Sequence, residues 1–513
     1  MGEYLSPGVY VEEVSSGAKP IAGVGTSTGA FVGIAEKGQI GKAKLITNWT
    51  QFVNTFGVFI PDGYLAYAVY QFFNEGGTKC YVVRTCHYTD SSDPTTKESK
   101  ASAATLMDDE ATPAKSLRVT ASSDGKWGDK LTVDVKAATD IPDGFKMIVK
   151  YKNAKDEDVE VELFDNLTIS DVEDTINKKS AYIRVEKDAW KENGGSETGS
   201  GKIPKKDQVK TLTGGNDGIL KGDGSSSLEF DDFVGDEGAR NGLHAFDTVD
   251  DINIVAIPDM AGDISTIKGA YTYCDNRKDC FFVADSPKDK TPTEILNIKK
   301  TNFKTSYGAL YYPWIEVADP LGGNKLLPPS GAIAGIYSRT DVTRGVHKAP
   351  AGITEGYIKS AIGLERILTK GEHDTLNNPG INVIRFFPGS GICVWGTRTM
   401  SDDPEWKYLN VRRLFLFLEE SIDEGTQWVV FEPNDPSLWG SIKRNLTAFL
   451  LRVWRDGALF GLTPDEAFFV KVDAENNPPE VRDAGQLIIE VGVAPVKPAE
   501  FVIIRISQKT LTK

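Results

Sequence analysis

The side chains that could perform chemistry are few in this chain and widely separated. Its 513 residues include five cysteines and four histidines. They are Cys80, Cys86, Cys274, Cys280 and Cys393, and His87, His244, His347 and His373. Two cysteine pairs share a C-x5-C spacing, for which a zinc site is one interpretation. The segment 80–86 also has the pattern of a strand, which would hold its two sulfur atoms about 20 Å apart, too far to share one metal. We therefore expect the cysteines to be small buried hydrophobic residues.

Neither the glycine-rich loops nor the acidic pairs complete a catalytic motif. The loop 23–29 lacks the Gly-Lys-Ser/Thr ending of a phosphate loop and precedes a strand. The loop 345–352 could surround an anion, but Pro350 removes one amide donor. Adjacent acids such as Glu419 and Glu420 point in different directions in a regular element, so they do not form an acid–base pair. The sequence therefore predicts no catalytic residue, metal or cofactor.

Composition indicates a globular protein of several domains. Hydrophobic residues make up 40% and charged residues 26%, and the length corresponds to about three domains at roughly 150 residues each. The net charge of −15 argues against nucleic-acid binding, which needs clustered Lys and Arg. We find no apolar run of about 18 residues and no signal peptide, so neither membrane insertion nor secretion by that route is expected. An odd cysteine count favours a reducing compartment.

Apolar periodicity predicts an α/β core that is interrupted by a more polar, β-rich segment. Residues 23–90 and 241–345 alternate buried-type strands with amphipathic helices, which favours one domain with a mostly parallel sheet. Within it we predict a single strand at 309–317. Residues 91–240 combine polar loops with alternating runs and are predicted to form an inserted, β-rich outer domain. The fold class is therefore α/β, or α+β when the whole chain is considered.

The remaining segments are a C-terminal domain and two β-prone ends. Residues 346–492 are dense in apolar and aromatic side chains and are predicted to form a further core domain. We expect a strand at 428–431 and a long helix from about 437 to 456 there. The segments 1–22 and 493–513 each carry a β-prone run bounded by Gly and Pro. The N-terminal run has no obvious partner strand nearby in the sequence, so it is either an edge strand of its own domain or an arm that pairs elsewhere.

Short motifs from the first ten residues to the last fifteen give the chain a family resemblance. Taken together, these motifs make the chain resemble contractile tail sheath proteins of phages, R-type bacteriocins and extracellular contractile injection systems. The motifs are at 6–14, 25–26, 30–33, 63–77, 81–84, 311–314, 328–331, 334–337, 348–351, 395–399, 412–413, 431–434, 459–461, 466–470 and 494–502. The segment 90–240 carries none, as expected of a variable insertion.

The resemblance implies a structural subunit and not an enzyme. Family members stack as helical rings around an inner tube and contract to drive that tube through a target envelope. The implied partners are other copies of the chain, an inner tube protein, a baseplate and a terminator or cap protein. The resemblance also implies assembly in the bacterial cytoplasm, as part of a phage tail or a phage-tail-like particle that is released or anchored.

The resemblance also gives the two β-prone ends a role. In the family, terminal arms add strands to a sheet in neighbouring subunits, so that connections survive contraction. The arm residues that we predict to pair in this way are Val9, Tyr10, Val11, Val14, Phe501, Val502, Ile503, Ile504 and Ile506.

The long C-terminal helix is a candidate for contact with the inner tube. Its basic side chains are Lys443, Arg444, Arg452 and Arg455, and Trp439, Ile442, Leu446, Phe449 and Val453 form an apolar stripe on the opposite face. A basic face could hold an acidic tube reversibly, because exposed ion pairs contribute only ~0–1 kcal/mol each. A solvated face and a sheath–sheath salt bridge are alternatives, and the helix at 408–422 is a competing candidate.

Two other functions remain open from the sequence alone. One is an α/β enzyme with an inserted lid, which would need a convergent catalytic set that we do not find. The other is a surface filament or adhesin that does not contract. The insertion carries most of the acidity, with 32 Asp and Glu against 22 Lys and Arg in residues 90–240. An acidic outer surface would keep a crowded polymer soluble.

Overall fold

A computed structural model describes residues 20–153, 155–192, 195–220, 226–501 and 503. The first segment contains β1 (Gly29–Gly33), β2 (Lys44–Ile46), α1 (Trp49–Phe56), α2 (Leu65–Glu75) and β3 (Cys80–Arg84). The inserted segment contains β4 (Ala103–Met107), β5 (Lys115–Ala121), β6 (Leu131–Ala137), β7 (Phe145–Lys152), β8 (Asp158–Leu167), α3 (Val172–Lys179), β9 (Ile183–Glu186), β10 (Ala189–Glu192), β11 (Gly195–Thr198), β12 (Val209–Thr211) and α4 (Phe230–Val234).

After the insertion the core resumes. Its elements are β13 (Ile254–Ala256), α5 (Ile264–Arg277), β14 (Phe281–Asp285), α6 (Pro292–Asn302), β15 (Gly308–Tyr312), β16 (Ile315–Ala318), β17 (Asn324–Leu327), α7 (Ser330–Arg344), α8 (Gly352–Glu355), β18 (Gly363–Leu364), α9 (Lys370–Asn377), β19 (Ile381–Phe387) and β20 (Gly391–Val394). The C-terminal region contains α10 (Leu409–Thr426), α11 (Pro436–Arg455), α12 (Pro464–Ala467), β21 (Phe468–Lys471), α13 (Pro479–Asp483) and β22 (Glu490–Val493).

One eight-stranded sheet forms the centre of the molecule, in the order β2-β3-β1-β13-β14-β15-β19-β20. The six strands from β3 to β19 pair in parallel, and the edge strands β2 and β20 pair antiparallel. All five residues of β1 are buried. Phe31 packs in the cluster that contains α2 and α7, whereas Ala30 and Val32 pack in the cluster that contains α5 and α6. Burial on both faces is typical of a parallel sheet between helical layers, and it confirms the predicted α/β core.

The central sheet also receives strands from beyond residue 345. β19 and β20 continue it on the side of β15, although the sequence placed both strands in the C-terminal domain at 346–492. The domain limits remain a prediction, but this sheet joins the two predicted units through main-chain hydrogen bonds.

The predicted single strand at 309–317 is two strands in different sheets. β15 belongs to the central sheet, whereas β16 pairs antiparallel with β17 and β18. Pro313 lies between them and has no N–H to donate to a ladder. The chain therefore leaves the central sheet at this proline. The sequence did not predict this break, because residues 309–317 form one apolar run with strong β propensity.

The predicted strand at 428–431 is wrong. α10 continues to Thr426, and Gln427–Val429 follows it as a 3-10 turn. Phe431 then has a φ of 70° and is fully exposed, at 102%. Hydrophobic and β-branched residues favoured a strand here, but no neighbouring strand is present in the described part of the chain to pair with this turn.

The insertion has its own core, separate from the central sheet. A four-stranded sheet (β12-β6-β7-β8) and a three-stranded sheet (β4-β5-β9) enclose a cluster that includes Trp127, Val133 and Phe145. Arg84, at the end of β3, connects this unit to the central one. Its guanidinium donates to the carbonyl oxygens of Gly38 at 2.9 Å and Asp124 at 2.7 Å.

A third core lies in the C-terminal region. Helices α10 and α11 pack there with β21, and β22 covers part of the cluster. Ile21, near the start of the described chain, is also buried in it, at 2% exposure. The first described residues are thus attached to the C-terminal core, about 400 positions away in the sequence.

Candidate assembly surfaces

Helix α11 has one buried apolar face. Asp435 precedes it, and its carboxylate accepts a hydrogen bond from the Leu438 N–H at 2.8 Å, which satisfies one of the free amides of the first turn. The predicted apolar stripe is buried in the C-terminal core; its members are Trp439, Ile442, Leu446, Phe449 and Val453. Burial of this stripe fixes which face of the helix points outward.

The four predicted tube-facing residues lie on the outward face of α11. Lys443, Arg444, Arg452 and Arg455 are all exposed. Arg444 donates to the Ser441 hydroxyl at 3.0 Å. Within the described ranges, none of the four basic side chains forms an ion pair. They are therefore free to meet an acidic surface, but their contact with a tube stays a prediction.

The competing helix, α10, offers no comparable basic face. Arg412 is 6% exposed and lies over the ring of Trp406, with its guanidinium carbon 3.5 Å from the ring centre. Arg413 is 3% exposed and forms a bidentate ion pair with Asp341. Both arginines thus act inside the subunit, which leaves α11 as the better candidate.

The C-terminal core carries a short sheet with two open edges. β21 and β22 pair antiparallel and form a two-stranded sheet. No third strand of the described chain pairs with either outer edge. Such a ribbon is marginally stable alone, and its outer edges present unpaired N–H and C=O groups. Phe469 on β21 is 52% exposed. The sheet is therefore suited to receive strands from other chains.

The predicted arm residues are only partly described. Val9, Tyr10, Val11, Val14, Val502, Ile504 and Ile506 lie outside the described residues. Phe501 and Ile503 are described; they are 72% and 79% exposed and belong to no strand of the subunit. Their strand pairing with a neighbour stays a prediction.

At the start of the C-terminal arm, the carboxylate of Glu500 is hydrogen-bonded by Arg398, Asn377 and Tyr408; we call these four residues the carboxylate clamp. Glu500 receives two hydrogen bonds from the guanidinium of Arg398, at 2.9 and 2.7 Å. Asn377 and Tyr408 donate two more, at 2.7 and 3.1 Å. Burial of Glu500 would raise the pKa of its carboxyl, but these hydrogen bonds and the charge of Arg398 outweigh it and lower the pKa. The clamp is therefore charged at neutral pH and weakens only as the pH falls through the lowered pKa.

Sequence reasoning missed this clamp because Arg398 and Glu500 are 102 positions apart. Both lie in motifs that carry the family resemblance, but no spacing rule links them. The only sequence signal is a lone acid in the apolar, Pro-containing run at 494–502.

Replacement of the clamp carboxylate should release the arm locally. We expect Glu500→Gln to increase hydrogen–deuterium exchange by about 30-fold at the amides of Ala494 and Val496, which donate to backbone carbonyls of the body, because a hydrogen bond to a charged partner contributes roughly 2 kcal/mol. Glu480→Gln, at an exposed glutamate of α13, is the matched control and should leave exchange there unchanged. Equal exchange in wild type and Glu500→Gln would show that the clamp does not hold the arm.

Two aspartates, the buried Asp285 and the half-buried Asp259, lie at the carboxyl ends of adjacent parallel strands, where α/β enzymes place their sites. Asp259 accepts hydrogen bonds from the N–H groups of Ile34, at 2.8 Å, and Tyr64. Asp285 accepts one from the Ser330 N–H at 2.7 Å, at the start of α7. Burial raises the pKa of each carboxyl to about 7, against these hydrogen bonds. Both aspartates therefore anchor helices and loops to the sheet.

The five cysteines are buried, as predicted, and each is a free thiol. The Cys274 and Cys280 sulfur atoms lie 3.5 Å apart, on the end of α5 and just before β14. Among the residues that the structure describes, no three His, Cys, Asp or Glu side chains come together as a metal site. Within the same ranges, none of the helices combines the length and apolar character needed to cross a bilayer.

Comparison with known protein families shows which class of protein this chain belongs to. Residues 234–400 match the phage tail sheath protein central domain, and residues 401–509 match the phage tail sheath C-terminal domain. Together these two family profiles cover more than half of the chain and define a phage tail sheath protein. The chain belongs to the phage tail sheath family.

Individual relatives agree with this assignment. The tail sheath protein of Vibrio phage KVP40 is 31% identical over 180 residues, which is 35% of this chain and 26% of the relative. The chain thus matches about a quarter of that relative's length. Among solved structures, the PVC sheath complex of an extracellular contractile injection system, in its contracted state, has a TM-score of 0.59 and 23% identity, with 99% of each chain covered. A sheath tail protein from Listeria innocua has a TM-score of 0.59 at 15% identity, covering 93% of this chain and 96% of its own.

Proposed function

We propose that this protein is the subunit of a contractile sheath. Copies of the chain polymerise helically around an inner tube and contract to drive the tube through a target envelope. The similar structures include sheath complexes in a contracted state and the baseplate of the anti-feeding prophage. By analogy, the partners are other copies of the chain, an inner tube protein, a baseplate and a terminator or cap protein. The product is a phage tail or a phage-tail-like particle assembled in the bacterial cytoplasm.

The observation that carries the proposal is the open two-stranded sheet on the C-terminal core. A polymer that shortens must exchange its lateral and axial contacts while its subunits stay joined. Strand addition meets this need, because main-chain hydrogen bonds hold the arm and its flanking loops bend. Head-to-tail addition of this kind builds a helical filament when its rotation does not close into a ring. Electron micrographs of assembled particles test the proposal by showing whether a sheath surrounds a narrower tube.

The outward face of α11 is proposed as the tube contact. Its basic side chains would meet acidic groups on the tube in weak, exposed ion pairs, which suit release during contraction. The extended sheath would store energy kinetically, behind the barrier to exchange of these and other contacts.

Reversal of two charges on α11 should weaken binding to the tube. We expect Arg444→Glu with Arg452→Glu to reduce co-assembly with the tube protein by about tenfold or more at low salt, because attraction becomes repulsion. The loss should shrink as salt screens the charges. Co-sedimentation of sheath and tube measures it.

The matched control for α11 has the same change in net charge. It is Lys268→Glu with Lys300→Glu, at two exposed lysines of α5 and α6, and it should leave co-assembly intact. If both double variants bind the tube as wild type does, α11 is not the contact.

A further inference from the structure

A cavity of about 900 Å³ lies where the C-terminal segment crosses the body of the subunit. Its lining residues come from five segments, within 347–352, 370–378, 385–398, 408–410 and 496–501. This volume is at the upper end of the range for small-molecule sites. The lining residues lie outside β21, β22 and α11, so the cavity is distinct from the two-stranded sheet and from the proposed tube contact.

The cavity is basic, and most of its positive charges are unpaired. Its acidic side chains are Asp374 and Glu500, and Glu500 is already bound by Arg398. In the part of the chain that the structure describes, the other cations of the walls form no ion pair. These four cations are Lys348, Lys370, Arg385 and Lys497. The cavity therefore favours a negatively charged ligand.

The loop 345–352, whose sequence suggested an anion site, forms one wall of this cavity. The N–H groups of Ala349 and Gly352 donate to no atom of the described chain. Gly352 has a φ of 94°, and a Cβ placed on it would meet nothing within 4 Å. Pro350, which has no N–H, is buried and does not line the cavity, so it removes no donor from the site. Free backbone amides beside a lysine are typical components of a phosphate site.

Helix α10 begins at the same cavity, and its second residue carries an unsatisfied buried oxygen. Asn410 lines the cavity and is 2% exposed. Its side-chain nitrogen donates to the His347 carbonyl at 2.8 Å, which fixes the orientation of the amide. Its Oδ1 is then left without a partner among the described residues. An unpaired buried oxygen of this kind is costly, so it indicates a hydrogen-bond donor on a ligand.

A second wall residue has the same unsatisfied group. The Asn377 side-chain nitrogen donates to Glu500 at 2.7 Å, so its Oδ1 faces away from that carboxylate. This oxygen is buried and, within the described ranges, also has no partner. An inorganic anion such as sulfate has no N–H or O–H group to offer these two oxygens, whereas a hydroxylated molecule has. The ligand that fits is therefore an anion that also carries hydroxyl groups.

The remaining wall and the number of cations narrow the class of ligand further. The apolar lining residues include Ala351, Trp395, Val496, Pro498 and Phe501. Such a surface suits the apolar face of a ring. Four unpaired cations match a group with about two negative charges better than a single carboxylate, and a phosphate monoester carries about −2 at neutral pH. The walls thus match a ring compound that bears hydroxyl groups and a phosphate.

We propose that the cavity binds a phosphate ester of a hydroxylated ring compound, such as a nucleotide or a sugar phosphate. The phosphate is held by the lysines of the walls and the free amides of the loop 345–352, and the hydroxyl groups donate to Asn377 and Asn410. Because residues 496–501 form one wall, a bound ester also attaches this segment to the body of its own subunit. The inference goes beyond the sheath function and does not depend on it.

Titration calorimetry on the full-length subunit tests the proposal with a small set of probes. These are adenosine monophosphate, glucose 6-phosphate, inorganic phosphate, adenosine and glucose. We expect at least one ester to bind about tenfold or more tightly than both inorganic phosphate and its own unphosphorylated parent, because only the ester satisfies the cations and the two oxygens together. The tighter ester shows whether the source is a nucleotide or a sugar phosphate. Inorganic phosphate that binds as tightly as both esters would show an adventitious ion only, and absence of binding by both esters would overturn the inference.

Hydrogen–deuterium exchange on the wild-type subunit locates the bound ester. At a saturating concentration, the ester should slow exchange by about tenfold in residues 345–352 and 496–500, because free amides gain a partner and the segment is held to the body. Exchange in residues 479–485, which lie outside the cavity walls, should not change. Protection elsewhere, with none in the two cavity segments, would contradict this site.

Removal of two cavity lysines tests recognition of the phosphate. Lys348→Gln with Lys370→Gln should weaken binding of the ester by about tenfold or more, because two charge-assisted hydrogen bonds are lost. Neither lysine is buried, so the fold should not change. The matched control is Lys268→Gln with Lys300→Gln, at exposed lysines of α5 and α6, which has the same change in net charge and should bind as wild type does. Equal affinity of the two double variants would refute the site.

Discussion

Removal of residues 1–20 should leave a folded subunit that no longer forms a stable polymer. Residue 20 is the first that the structure describes, and the first buried side chain of the described part is Ile21, at 2% exposure. The Val24 N–H then donates to the Ser421 hydroxyl at 3.1 Å, so the new terminus stays attached to α10. What the truncation removes is the predicted strand at 9–14 that joins subunits. Circular dichroism and electron microscopy measure the fold and the polymer separately.

A slightly longer truncation is the control for this result. Removal of residues 1–25 also deletes Ile21, a side chain whose burial contributes about 2–5 kcal/mol. It should therefore lower the thermal midpoint of unfolding, which removal of 1–20 should not. Normal sheaths from the chain that lacks residues 1–20 would refute the role of the N-terminal arm.

Loss of the Arg413 guanidinium should strongly destabilise the folded subunit. The Arg413 and Asp341 side chains are 3% and 2% exposed and form a bidentate pair at 2.9 and 2.6 Å. Arg413 also donates to the Thr26 carbonyl at 2.8 Å. It thus connects α10, α7 and the first described segment. We expect Arg413→Met to cost about 3–5 kcal/mol, because it leaves the aspartate buried without its opposite charge. Urea denaturation measures the change.

Two further variants separate the charge from the packing. Asp341→Leu combined with Arg413→Met should recover much of the loss, because an apolar pair of similar volume is often tolerated where one buried charge is not. Arg444→Met removes an exposed arginine of α11 and should change stability by less than about 0.5 kcal/mol. A single Arg413→Met variant as stable as wild type would show that the pair contributes little.

The sequence predicted regular elements well where burial follows a simple period. The apolar positions of α11 recur at helical spacing, and this helix forms as expected. β1 is buried on both faces, as its continuous apolar run indicates. The strand predicted at 428–431 failed because local propensity does not show whether a partner strand exists.

The sequence did not allow us to predict contacts between side chains that are far apart along the chain. The pairs Arg413–Asp341 and Arg398–Glu500 bring together residues 72 and 102 positions apart. An arginine in an apolar helix gives no sign of its partner, since charge alone fits a solvated face equally well. The helix predicted at 408–422 was a competing candidate for the tube contact, but the structure buries both of its arginines. The outward face of α11 was placed correctly, because an apolar stripe defines its opposite side.

Electron microscopy of purified particles before and after triggering tests the central proposal most directly. A contractile sheath predicts two populations, one long and narrow around a tube and one shorter and wider, with an equal number of subunits in each. The same chain must be present in both, as shown by antibody labelling or by density for its inserted domain. Particles of a single length and width under all triggering conditions would contradict contraction and indicate a static filament.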